Sequence, residues 1–206
     1  MATPNPVLAA AITLPLGCAC GTFRGTYAAL PHRGSRLVCY CDDCQAYARF
    51  LARHDLLDAF GGTEVVQSWP AQIRLVEGVD TIRLLRLTGK GLHRWYTGCC
   101  STPIANSSGS PWFPFAGVVR RALRVDDSAL DALYGPAAGV QGRFAKGGCP
   151  PGAHVSASVG TAWNAVGLLA RGAWMGAGRP NPFFGADGAR IVEARVLTRP
   201  ERDALR

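Results

Sequence analysis

Seven of the eight cysteines fall into three tight clusters: Cys18-Ala-Cys20, Cys39-Tyr-Cys41-Asp-Asp-Cys44 and Cys99-Cys100. Cys149 stands alone in Gly147-Gly-Cys-Pro-Pro-Gly152. Short spacings bring two or three soft thiolates to one ion, the ligand type zinc prefers. A disulfide within C-x-C, or between adjacent cysteines, is strained, because the bridge needs a dihedral near 90° and well-separated Cα atoms. The clusters therefore read as metal ligands before disulfides or unligated thiols. Cys39, Cys41 and Cys44 supply three corners of a tetrahedron, and a fourth place open to water or an external thiol is the layout of a catalytic zinc. These three are the candidate catalytic residues. Cys18 and Cys20, closed by the distant Cys99-Cys100 segment, would form a second, structural zinc site that contributes to folding.

Local elements must position these thiols. Leu14 to Tyr27 is strand-like and Arg36 to Tyr40 is a second short strand. From Asp42 to His54 the period changes to helical, with Cys44, Tyr47, Ala48 and Leu51 on one face and Asp42 or Asp43 as the cap. A helix starting there sets Cys44 at its N-terminus, where the helix dipole favours a thiolate. Residues 63–105 read as a β meander, with strands at Thr63–Gln67, Gln72–Val76, Thr81–Leu87 and Leu92–Tyr96 between glycine-bearing turns. Asn106 to Pro114 reads as a loop, Phe115 to Arg120 as a strand, Asp126 to Tyr134 as a helix and 135–152 as a Gly/Pro-rich connection. Thr161 to Met175 is a helix with Trp163, Val166, Leu169, Ala170 and Trp174 near one face, for the core or for a partner or membrane surface. Ile191 to Val196 reads as a strand, and Thr198-Arg-Pro-Glu201 as a capping box opening a terminal helix.

The chain has 206 residues, 48% hydrophobic and 17% charged, which excludes an intrinsically disordered protein and a disulfide-stapled miniprotein. Its apolar runs are too short for a membrane span. The formal net charge is +8, and Lys90 and Lys146 are the only lysines among 22 basic residues. The arginines are scattered apart from Arg120, Arg121 and Arg124, and no nucleic-acid-binding motif accompanies them, so nucleic acid is not the expected partner. The N-terminus lacks a basic region before Val7–Leu16, so the expectation is a cytoplasmic chain without a secretory signal. No P-loop, dinucleotide fingerprint or nucleophile elbow is present. His93 reads as a sheet or surface residue. Cys149 reads as a loop thiol, with a fourth ligand folded onto the middle metal as the alternative.

Three segments, Leu16-Gly-Cys-Ala-Cys-Gly21, Cys39-Tyr-Cys-Asp-Asp-Cys-Gln45 and Tyr96-Thr-Gly-Cys-Cys-Ser-Thr-Pro-Ile104, resemble the family of glutathione-dependent formaldehyde-activating enzymes that also includes centromere protein V. The resemblance covers about residues 12–120. It implies a mainly β (α+β), zinc-bound antiparallel β-tent-like fold with a few short helices. The division it suggests is a leader at 1–11, a zinc-binding β domain at 12–120 and a C-terminal extension at 121–206 packed on the same domain. It also implies a structural zinc on the first and third motifs and a second zinc on the middle motif, linked to binding a thiol such as glutathione. The implied reaction condenses glutathione with formaldehyde to S-hydroxymethylglutathione, a carbon–sulfur lyase in reverse. Tyr40 replaces the family's usual histidine, Thr97 its first cysteine in the third motif and Ser101 its glycine. Cys100 is then the aligned ligand. Either Cys99 turns inward to restore four ligands, or another donor joins Cys18, Cys20 and Cys100.

Two functions follow. The first is a zinc-dependent carbon–sulfur lyase acting on a glutathione or other thiol adduct. The alternative is a non-catalytic, zinc-stabilised binding protein with both metals structural, in which the Trp163–Trp174 helix and the positive charge meet a partner.

Overall fold

The structure, a computed structural model, describes Leu8 and residues 10–206. Residues 1–7 and 9 of the expected leader lie outside the described residues. The fold is mainly β with a few helices. Strands β1 (Ile12–Gly17), β2 (Arg24–Ala29) and β5 (Ile73–Glu77) form a small antiparallel sheet. A larger sheet runs in the order β10-β3-β4-β9-β8-β7-β6-β11. Its members are β3 (Ser35–Cys39), β4 (Thr63–Ser68), β6 (Ile82–Arg86), β7 (His93–Thr97), β8 (Pro103–Ser107), β9 (Ala116–Val119), β10 (Ala138–Val140) and β11 (Ala194–Val196). The inner pairs are antiparallel, and the two edge strands pair in parallel, β10 with β3 and β11 with β6.

Strand alternation gives the large sheet two buried faces. Leu84, Trp95, Ala105, Val66 and Val118 point to one side, where they meet Leu14, Leu16, Phe23, Tyr27 and Ile73 of the small sheet. Their neighbours point the other way. Leu85 packs with Ala46, Tyr47, Ala48 and Leu51 of helix α1 (Asp42–Phe50) and with Leu56, Leu87 and Leu197. Helix α1 and the small sheet thus sandwich the large one.

Several expectations are corrected. Residues 63–105 are not one meander. Asp42 and Asp43 do not cap α1. The Asn106–Pro114 loop begins two residues later, because Asn106 and Ser107 belong to β8. After β4 the chain leaves the large sheet through a 3-10 turn at Pro70–Gln72, adds β5 beside β2, and returns at Val79–Thr81. Gln72 makes the switch by accepting from the Trp69 N–H (2.9 Å) and donating to the Ala28 carbonyl of β2 (2.7 Å). The N-cap of α1 is Cys41, in extended conformation and with no side-chain cap, while Asp42 and Asp43 occupy the first turn.

Helix α1 also ends before the expected His54. Ala52 takes a left-handed φ of 51°, its N–H bonds the Arg49 carbonyl, and the Arg53 N–H bonds the Ala48 carbonyl. That is the Schellman termination usually given to glycine.

The C-terminal half holds helices α2 (Asp127–Tyr134), α3 (Val159–Trp174) and α4 (Arg199–Asp203). It is interleaved with the rest, since it supplies both edge strands and puts Phe183 and Phe184 into the main core. Phe183 stacks on Trp95 with ring centroids 4.5 Å apart. The capping box of α4 is present, with Thr198 and Glu201 bonding each other's backbone N–H.

Candidate metal centres

Cys18 and Cys20 lie in the turn joining β1 to β2, and Cys99 and Cys100 in the turn joining β7 to β8. The four Sγ atoms lie within 4.8 Å of one another. Sγ–Sγ separations are 3.4 Å for Cys18–Cys20 and Cys20–Cys99, and 3.8 Å for Cys18–Cys99 and Cys99–Cys100. Two adjacent cysteines reach one point because the peptide bends just after them, with Ser101 at φ 52°. Cys99 therefore turns toward the group. Thr97 stays at its border, its Oγ1 3.6 Å from Cys100 Sγ.

The surroundings favour ionised sulfur. The Phe23 N–H donates to Cys18 Sγ (3.2 Å), and Thr102 Oγ1 sits 3.2 Å from Cys100 Sγ. Burial opposes ionisation of Cys100, but the hydroxyls of Thr102 and Thr97 and the backbone of Cys20 outweigh it and bring the thiol down to about 5. Cys99 moves the other way, pushed up to about 11 by burial and by hydrogen bonding with Cys20. Thr102 Oγ1 also accepts from the Ala19 N–H (2.9 Å), tying the two turns together. Arg53, just past the end of α1, donates to Thr102 Oγ1 and to the Cys100 carbonyl, both at 3.3 Å.

The second group is Cys39 at the end of β3, Cys41 at the N-cap of α1 and Cys44 in its first turn, again within 4.8 Å of one another. Gln45 braces this junction. It is buried, and its Nε2 donates to the carbonyls of Tyr40 (2.8 Å) and Phe144 (2.9 Å). Tyr40, between the first two cysteines, donates its hydroxyl to Asp58 (3.0 Å). Among the described residues no fourth Cys, His, Asp or Glu joins this group. Cys149 lies outside it, exposed, with its Sγ 3.4 Å from the Ala153 carbonyl.

Facing Cys44 is a residue that the sequence did not single out. Arg94 is only 4% exposed. Trp95 beside it points into the main core, so Arg94 points to the α1 face, over the Tyr47 ring at 5.1 Å and against Cys44. Hydrogen bonds from Cys39 and Cys41, then the Arg94 charge, hold the Cys44 thiol well below its ordinary range despite its burial. Cys39 moves up, because it is the donor to Cys41 and Cys44 and is itself buried.

Beside Cys44 lies a small buried cavity of about 10 Å³, room for the centre of one water, walled by Arg94, Thr63, Asn106 and Val119 among others. Thr63 Oγ1 and Asn106 Oδ1 are buried there without hydrogen-bond partners. A surface cleft of about 310 Å³ shares Leu56, Thr63 and Val119 with this cavity as walls, and is rimmed by Arg120, Arg121, Asp55, Asp58 and Glu64. The available signal for Arg94 was its alternation with Trp95 in a short strand, which sets it on the face opposite the tryptophan. For Thr63 and Asn106 no local signal existed.

Fold and sites together define a mainly β protein with two groups of cysteines that could each hold a metal ion. The chain belongs to the family of unknown function DUF6151, whose model matches residues 10–194. No curated protein matches it. Among solved structures it is similar to a Rhodobacter sphaeroides protein known from a crystal structure, at 16% identity and a TM-score of 0.41. That match covers 57% of this chain and 94% of the other.

Proposed function

We propose that the chain binds two zinc ions, one structural and one that accepts an external thiol, and that it acts on a thiol adduct as a carbon–sulfur lyase. The observation that carries the reading is the asymmetry of the two sites. One has four sulfurs, while the other has three at a helix N-terminus, beside a buried arginine and a small cavity.

The donor sets suit zinc. A tetrahedron with metal–sulfur bonds of about 2.3 Å has sulfur–sulfur edges of about 3.8 Å; in the four-cysteine group four of the six separations are 3.4–3.8 Å, and all lie within 4.8 Å. Cys18, Cys20, Cys99 and Cys100 would fill one shell. Cys39, Cys41 and Cys44 would hold the second ion, whose bound form supplies a Lewis acid that keeps an incoming thiol ionised.

The protein's own groups supply the rest. Three thiolates and a divalent ion carry one net negative charge, and Arg94 supplies one positive charge against it, so the buried site is neutral before the external thiol arrives. Of the two arginines at the cleft, Arg120 is held by Asp127 and by the Leu123 and Val125 carbonyls, which leaves Arg121 to meet a carboxylate of a thiol such as glutathione. Addition to formaldehyde would form a bond from the thiol sulfur to the carbonyl carbon and move the thiol proton to the carbonyl oxygen. This is the activity of the formaldehyde-activating enzymes that the cysteine motifs resemble. The reduced thiols it needs suit a cytoplasmic setting.

The test is metal analysis of protein purified without added zinc, on wild type and Cys44→Ser, followed by glutathione titration of the cobalt-substituted protein. Two metals falling to one, with the cobalt spectrum changing only when Cys44 is present, is the expected result. No metal in either protein would overturn the two-site reading. A spectrum indifferent to millimolar-range thiol (about the level of cellular glutathione) would make the middle metal structural.

A further inference from the structure

The rotation of helix α3 about its own axis is fixed. Its inner side is held by Gly172, where an added Cβ would fall 2.4 Å from the Trp69 indole nitrogen, and by Leu168, whose carbonyl accepts from that nitrogen at 2.9 Å. A helix pinned this way must present its opposite side outward. That side is apolar: Val159, Trp163, Val166, Ala170, Ala173 and Trp174 recur at helical spacing and all are exposed. Trp163 is 69% and Trp174 93% exposed. The expectation of a core face for these residues is thereby corrected, because Trp69 claims the other side of the helix.

Two further features sit beside the stripe. Trp112 and Phe113 are exposed near its C-terminal end, where Gly178 packs against the Trp112 backbone and Arg179 stacks on the Trp112 ring at 3.0 Å. The charge is of one sign: residues 132–186 contain no Asp or Glu but hold Arg143, Lys146, Arg171 and Arg179. Arg171 and Arg33 share a surface depression with Trp163.

We propose that this face docks α3 flat on an anionic bilayer surface. Tryptophans beside arginines, on a helix with an apolar outer side, match the interfacial zone, where indoles sit at headgroup level and guanidiniums reach lipid phosphates. The helix has 16 residues, about 24 Å at 1.5 Å per residue, so it lies in the interface rather than crossing it. Charge decides between occupants. A second copy would set Arg171 and a chain of net charge +8 against themselves, whereas anionic headgroups complement both. The proposal stands independently of the chemistry at the cysteines.

The experiment is vesicle flotation of the metal-loaded full chain with phosphatidylcholine alone and with phosphatidylcholine plus phosphatidylglycerol, at low and high salt. Wild type should float with the anionic vesicles and be released by salt. Trp163→Ser/Trp174→Ser should partition about tenfold less or weaker still. Both side chains are exposed, so the double variant should keep its metal content and circular dichroism. Equal partitioning of wild type and variant, or no preference for anionic vesicles, would overturn the proposal. A concentration-dependent dimer that the double variant disperses, without vesicle binding, would assign the face to a second copy and overturn it as well.

Discussion

Replacing Arg94 by methionine tests whether the middle cysteines form a charge-balanced metal site. The thioether keeps length and apolar contact against Tyr47 while removing the charge. A guanidinium about 4 Å from a thiolate, at an effective dielectric near 20, contributes about 4 kcal/mol of attraction, an upper bound of roughly a thousandfold in affinity. Relaxation and water entry reduce this, and substitutions just outside a metal's ligand shell commonly cost about 10–100-fold. The expected result is one metal equivalent weakened by about ten- to a thousandfold, with the other unaffected.

Competition with a chromophoric chelator measures both equivalents in one titration. Wild type should release its metals in two steps closer together than those of Arg94→Met. Arg94→Lys keeps the charge and should retain most of the affinity. If the lysine variant loses as much as the methionine variant, Arg94 acts through packing rather than charge. If both equivalents keep wild-type affinity in Arg94→Met, the charge-balance reasoning fails.

Two predictions concern stability. His93 is 1% exposed, packed between Trp95 and Phe184, with its Nδ1 unpartnered. Burial, then the charges of Arg86 and Arg190, lower its pKa to about 4. The unfolded imidazole takes a proton below about 6.5 and the folded one only near 4, so stability should fall as pH drops through that window, by about 3 kcal/mol in all. Urea unfolding midpoints across this range, with His93→Phe flattening the slope, check it; an unchanged slope would refute it. Gly172→Ala should cost about 1–3 kcal/mol, because its Cβ collides with the Trp69 indole that α3 packs on. Thermal unfolding reads it, and a variant as stable as wild type would show that α3 can shift.

What was legible in the sequence was local. The strands at Thr63–Ser68, Ile82–Arg86 and His93–Thr97 show alternation and glycine punctuation within one element. Thr198 and Glu201 form their capping box within four residues. Cys39, Cys41 and Cys44 meet because a strand end and the first turn of a helix bring such neighbours together almost regardless of the rest of the fold. The end of α1 was not legible, because Ala52 takes the left-handed position that glycine normally announces. Strand β10 was hidden too, since its three residues gain their identity only by pairing with β3, whereas β11 falls inside the strand expected at Ile191–Val196.

The sequence alone determined the chemistry available: eight thiols, grouped by spacing, and a basic chain with a hydrophobic helix near its end. Tertiary structure decided what each group faces. Arg94 and Cys44 lie fifty positions apart and meet because one face of β7 is covered by α1. Cys99 joins Cys18 and Cys20 across two turns that Thr102 links. The tryptophans of α3 face outward because Trp69, a hundred residues earlier, fixes the opposite side. Periodicity states that a set of side chains shares a face; only the packing of distant elements decides whether that face is covered.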